Sequence, residues 1–77
     1  MRWVNEIRMG EVRASTAVDP DTGLKLEVWD GLGGVWHTLA RIGDGDPQTT
    51  LTAHTSMEAA QKGAERLGQK MLERLDD

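Results

Sequence analysis

Cysteine, tyrosine and phenylalanine are all missing from this 77-residue chain. Without cysteine there is no disulfide and no thiolate zinc site, and the absence fits a reducing compartment. Two histidines, His37 and His54, are too few for a histidine-rich metal centre, so no metal or other cofactor is expected. The lack of phenylalanine and tyrosine removes the base-stacking pattern of an RRM sheet. No run of about 18 apolar residues occurs, so no membrane-spanning helix is expected. Residues 1–6 alternate polar and apolar rather than forming the apolar stretch of a signal peptide. A cytoplasmic protein that does not use a membrane is the resulting expectation. Basic excess is missing too. Nine Lys and Arg face thirteen Asp and Glu, for a net charge of −4, and both residues 1–54 and the remainder are acidic on balance. That opposes backbone-driven nucleic-acid binding.

What is present suffices for one small domain, residues 1–77. A core of this size rarely supplies more than about 3–5 kcal/mol without a staple, which leaves self-association or a partner as a further source of stability. Three loops punctuate the chain: Asp19-Pro20-Asp21-Thr22-Gly23, Asp30-Gly31-Leu32-Gly33-Gly34, and Gly43-Asp44-Gly45-Asp46-Pro47-Gln48. The runs between them have strand length. Placing Val18 opposite Leu24, Trp29 opposite Val35 and Ile42 opposite Thr49 satisfies three hairpins at once. It gathers Val12, Ala14, Val18, Leu24, Leu26, Val28, Trp36, Ala40, Ile42, Leu51 and Ala53 on one face. The expected fold is therefore α+β: an antiparallel four-stranded meander with one C-terminal helix on one face. Residues 1–10 suit an extra strand through Trp3, Asn5, Ile7 and Met9, or one helical turn through Trp3 and Ile7; strand is the preferred reading, with Gly10 a bulge in one long first strand. Thr55-Ser56-Met57-Glu58 reads as a capping box with Thr55 at N-cap. Met57, Ala60, Ala64, Leu67, Met71 and Leu75 follow at helical spacing. Gly63, beside the small Ala60 and Ala64, is the expected point of close helix–sheet approach.

No catalytic motif emerges from the chain. Asp21-Thr22-Gly23 is the aspartic-protease tripeptide, but that chemistry needs two such carboxylates in a deep cleft, and turn chemistry explains these residues. The loop aspartates lack the EF-hand spacing. Gly31, Gly33 and Gly34 lack the lysine and the strand–helix context of a P-loop. His37 is expected beside Glu27 as an exposed cross-strand pair. A non-enzymatic protein is the reading.

Two surfaces remain. The sheet face away from the helix should show Arg13, Lys25, Glu27, Trp29, Val35, His37, Leu39 and Arg41. Trp29 among arginine and aliphatic side chains has the composition of a binding hot spot, with Arg13 facing it as a cation–π partner. The expected partner-binding residues are Trp29, Val35, Leu39, Arg13 and Arg41. That face can serve a protein partner, a homodimer, or as the seat of residues 1–10 folded back over it. The second surface is the ladder Lys62, Arg66, Lys70 and Arg74 on the exposed helix face, which can follow a phosphate backbone. Glu58, Glu65 and Glu73 flank it, which makes nucleic acid the secondary reading.

In size, charge and the capped helix from Thr55 to Leu75, the chain resembles the small inhibitors that phages carry against bacterial defence systems, anti-CRISPR proteins among them. The resemblance implies a protein that blocks a partner's surface stoichiometrically, and it transfers no functional residue. Trp3-Val4-Asn5-Glu6-Ile7-Arg8 also resembles a strand of AP2-type DNA-binding sheets, although the arginine-rich sheet face of such domains is not present. A purely structural homo-oligomer subunit is the third alternative.

Overall fold

The computed structural model describes residues 1–50 and 52–75. Four strands, β1 (Trp3–Arg8), β2 (Glu11–Asp19), β3 (Leu24–Asp30) and β4 (Trp36–Ile42), form one antiparallel meander in chain order. One helix, α1 (Met57–Leu75), lies on one face, over β3 and β4. The α+β meander-plus-helix architecture is as the sequence predicts. Its membership differs, because residues 3–8 form the first of the four strands. Of the residues expected to form the last strand, Thr49, Thr50, Thr52 and Ala53 are not in a strand.

The β1–β2 connection is a two-residue turn, Met9-Gly10, closed by the Arg8–Glu11 pair. Both turn residues have positive φ, 53° at Met9 and 80° at Gly10, as hairpin turns of the twist-matched kind require. Gly10 is thus a turn residue and not a bulge. The bulge lies across the hairpin, where pairing jumps from Glu6–Ala14 to Ile7–Val12 and leaves Arg13 as the extra residue.

The β2–β3 register is one residue off the expected one. Asp19, not Val18, stands opposite Leu24. The Asp19 side chain causes this. Its carboxylate accepts the Asp21 N–H at 3.0 Å and the Thr22 hydroxyl at 3.0 Å, and its carbonyl accepts the Gly23 N–H at 2.9 Å. Asp19 therefore belongs to the last strand pair, and the loop shrinks to Pro20–Gly23 with Gly23 at φ 78°. A one-residue slip exchanges the two faces of a strand. Ser15 and Ala17 are buried, whereas Ala14 and Thr16 turn outward and Val18 is 55% exposed. Asp19→Ala removes both side-chain bonds and should cost about 1 kcal/mol; urea denaturation would show it as a lower midpoint at unchanged slope.

Across β3–β4 the shift is two residues, so parity survives. Leu24, Leu26 and Val28 stand opposite Ile42, Ala40 and Thr38. After β4 the chain returns alongside it and, among the described residues, makes two bridges, Ala40 with Gln48 and Trp36 with His54. Four steps along β4 are matched by six on the returning segment, so the two bridges do not belong to one regular ladder. Thr38 Oγ1 takes the Thr50 N–H at 3.1 Å in place of a main-chain acceptor. Ala53, expected in the core, is exposed; Leu51 lies outside the described residues.

The helix starts one residue later than expected. Ser56, not Thr55, is the N-cap: its hydroxyl accepts the Ala59 N–H at 3.1 Å. Reciprocal backbone bonds between His54 and Trp36, at 2.7 and 2.9 Å, hold the chain against β4, and Thr55 carries it clear of the edge. Ala60, Ala64, Gly68 and Met71 form the buried stripe, with Met57, Leu67 and Leu72 partly buried beside it. Leu75 is exposed. Closest approach occurs at Gly68, not Gly63. A Cβ at Gly68 would lie 2.8 Å from Leu24 Cδ2 and 3.1 Å from Leu26 Cδ2, whereas one at Gly63 would meet the His54 imidazole at 2.8 Å.

Candidate docking surface on the open sheet face

Helix α1 covers one face of the sheet over β3 and β4, and among the described residues nothing covers the other face. Residues 1–10 do not fold back over it. They extend the sheet as β1, with Trp3 opposite Ala17 and packed against the core. Alternation then places Val4 and Glu6 on the open face.

Trp29 sits on that face near the end of β3, 37% exposed. It pairs with Ala14 on one side and His37 on the other. The His37 ring lies 5.7 Å from the indole at a 30° tilt. His37 is therefore Trp29's neighbour, and Leu39 takes the expected place opposite Glu27. Gly31 makes the stack feasible, since a Cβ there would be 2.5 Å from His37 Nε2.

Ala14 is small, and Thr16 beyond it is short. The twisted sheet consequently forms a groove of about 640 Å³ beside Trp29, walled by Glu6, Arg8, Arg13, Thr16, Glu27 and Asp30. Arg13 reaches the groove for a different reason than expected. The β2 bulge carries it there, and it does not stand opposite Trp29. Its guanidinium meets Asp30 and Glu11, each at 2.6 Å, instead of lying on the indole as a cation–π partner. The hydrogen bond and charge of Asp30, then the charge of Glu11, raise the Arg13 pKa above its ordinary value. Arg8 pairs with Glu6 at 2.7 Å and Lys25 with Glu27 at 3.1 Å. The groove is thus an apolar floor inside a rim of mutually neutralised charges.

Of the other predicted contact residues, Leu39 on β4 is half-buried and Arg41 exposed, opposite Lys25. Val35 precedes β4 and is half-buried, its carbonyl accepting the Gly31 N–H at 2.7 Å. These three lie outside the groove lining, so the surface joins Trp29 and Arg13 but leaves Val35, Leu39 and Arg41 on its flank. Sequence reasoning missed Glu6, Arg8 and Thr16. The alternation of Trp3 to Arg8 was the signal for the first two, once β1 is taken as part of the sheet.

The cationic ladder on α1 is exposed at Lys62, Arg66, Lys70 and Arg74, but it does not line one site. Arg66 and Lys70 border a cleft of about 330 Å³ with Thr49, Thr50, Thr52 and His54, while Arg74 borders a separate hollow with Ile42 and Asp46. Among the described residues these four cations make no ion pair, and no three His, Asp or Glu side chains are grouped to hold a metal ion. No helix among the described residues is long and apolar enough to cross a membrane.

Comparison with known proteins returns no match: no family model, no curated protein and no solved structure aligns significantly with this chain.

Proposed function

We propose that this chain is a non-enzymatic binding protein whose open sheet face docks on a protein partner, with Trp29 as the anchor. The observation that supports it is the half-exposed Trp29 at the edge of a groove whose charges are already paired. A polyanion gains by releasing counterions to free cations, and Arg8, Arg13 and Lys25 offer none. A protein surface gains by filling the apolar floor with a side chain and meeting the rim through hydrogen bonds. Stoichiometric blocking of a partner, as in the phage-borne inhibitors that the chain resembles, needs no more than such a face.

Trp29→Ala should weaken partner binding by at least about 30-fold, the equivalent of roughly 2 kcal/mol for an anchor residue. The fold should survive, because the indole is not part of the core beneath α1. A photo-crosslinking side chain at Thr16, inside the groove, should label one discrete protein in a nuclease-treated lysate. The same group at Glu73 on α1 should not. Equal labelling from both positions, or retention of the Thr16 product in the Trp29→Ala background, would sink the reading.

A second reading rests on the other side of the molecule. Among the described residues, the Arg66–Lys70 cleft carries cations without an ion-pair partner, set among threonine hydroxyls with no carboxylate, which suits a phosphate group. Binding there would fall steeply with salt, whereas docking on the groove would be nearly indifferent to it.

A further inference from the structure

We propose that strand β1 is a homodimer interface, through which two copies of this chain join into one continuous eight-stranded antiparallel sheet. The inference is independent of the Trp29 groove, which lies on a face of the sheet and not on its edge.

β1 has β2 on one side and, among the described residues, no neighbour on the other. Such edges are normally blunted by proline, lysine, a bulge or a covering element. β1 has no proline and no lysine, and the nearby bulge belongs to β2. Helix α1 lies over β3 and β4 and leaves β1 accessible. The two charges of the strand, Glu6 and Arg8, satisfy each other at 2.7 Å.

The hydrogen-bond phase of the strand is known from two observations. A two-residue hairpin turn closed by Arg8–Glu11 makes that pair a hydrogen-bonded one. Ser15 Oγ lies 3.3 Å from the Val4 carbonyl, which therefore points toward β2. Even-numbered residues of β1 thus bond β2, and the N–H and C=O groups of Trp3, Asn5 and Ile7 point to the free edge.

Two copies related by a two-fold axis normal to the sheet pair residues of equal parity. Centring the axis on Asn5 uses all three outward residues. Asn5 meets Asn5 of the second copy, and Trp3 meets Ile7 of the second copy on each side. Asn5 is prepared for this: its Oδ1 already accepts the Ser15 hydroxyl at 2.8 Å, while its amide group makes no bond among the described residues. Ile7, 64% exposed in one copy, would be covered by an indole. Moving the axis to Glu6 sets two carboxylates directly opposite each other, which is destabilising. Moving it to Val4 sets Ile7 opposite Met1, outside the strand, in place of the indole. The strand is self-complementary in one register.

Sedimentation equilibrium and amide hydrogen exchange test this on the intact chain. The wild type should dimerise, with the Trp3, Asn5 and Ile7 amides gaining protection as concentration rises. Ile7→Lys, at an exposed position, and Asn5→Pro, which removes an N–H that β2 does not use, should each weaken the dimer at least about tenfold. Circular dichroism would confirm that both variants stay folded. A monomeric wild type at the highest soluble concentration would overturn the proposal. So would a dimer that both variants leave intact, or one that Trp29→Ala abolishes and Ile7→Lys does not.

Discussion

Leu26→Ala should leave most of the chain unfolded at physiological temperature. Leu26 is fully buried at the centre of β3, opposite Ala17 on one side and Ala40 on the other. Helix α1 closes over it at Gly68, whose missing side chain lets Leu26 Cδ2 approach the backbone. Three small neighbours surround one large side chain, so nothing beside it can expand into the space it leaves. A large-to-small change in such a site costs roughly 2–5 kcal/mol. A core of this size supplies about 3–5 kcal/mol in total, and a site whose neighbours cannot close the cavity lies in the upper part of the cost range, so the loss consumes most or all of the margin. Thermal melting followed by circular dichroism would show a flattened or missing transition. Leu26→Met, which nearly conserves volume, should cost less than about 1.5 kcal/mol and keep a cooperative melt. Equal melting of Leu26→Ala and the wild type would refute this account of the core.

Gly68→Val is the second large effect and comes from the opposite fault. The first added carbon would stand 2.8 Å from Leu24 Cδ2 and 3.1 Å from Leu26 Cδ2, and the two methyls beyond it would press further into β3. Overpacking of this kind costs typically 1–3 kcal/mol. With about 4–8 °C of Tm per kcal/mol for a domain of this length, the melting point should fall by roughly 10 °C. Gly68→Ala is milder, because helix propensity returns about 1 kcal/mol and the Leu24 methyl can swing aside. A valine variant as stable as the alanine variant would mean that α1 does not seat on Leu24 and Leu26 as described. Both predictions are read out without any partner, and so test the scaffold separately from the docking face.

The same two leucines show how far pattern reading reaches. Leu24, Leu26 and Val28 alternate on a short run between turn signals, and their burial follows from period two alone. The buried stripe Ala60, Ala64 and Met71 follows likewise from spacings of three and four. Gly68 was legible as a helix-weakening residue but not as the contact point. Which glycine faces the sheet depends on how the helix is rotated, and that is decided by where the chain leaves β4 after the His54–Trp36 bridge.

The docking face divides in the same way. Trp29 on the open side followed from its parity within β3. Arg13 was placed in the right region by a register that is wrong for β2, and the bulge restores it to the groove. No local pattern announces that bulge. The β2 faces were exchanged because Asp19 looks like a loop residue, and its role as both strand end and turn acceptor depends on the three residues after it.

Alternation, helical spacing and turn residues are properties of neighbours along the chain, and they determined the strand runs, the helix and the α+β class. Register, the outer position of β1, the pairing of β4 with the returning chain through the separate Ala40–Gln48 and Trp36–His54 bridges, and the pairing of every groove-rim cation with a carboxylate are relations between distant segments. A shift of one residue leaves local propensity unchanged but exchanges the faces of a strand. Only the assembled sheet, with the Asp19 turn closed and α1 seated on Gly68, selects one arrangement.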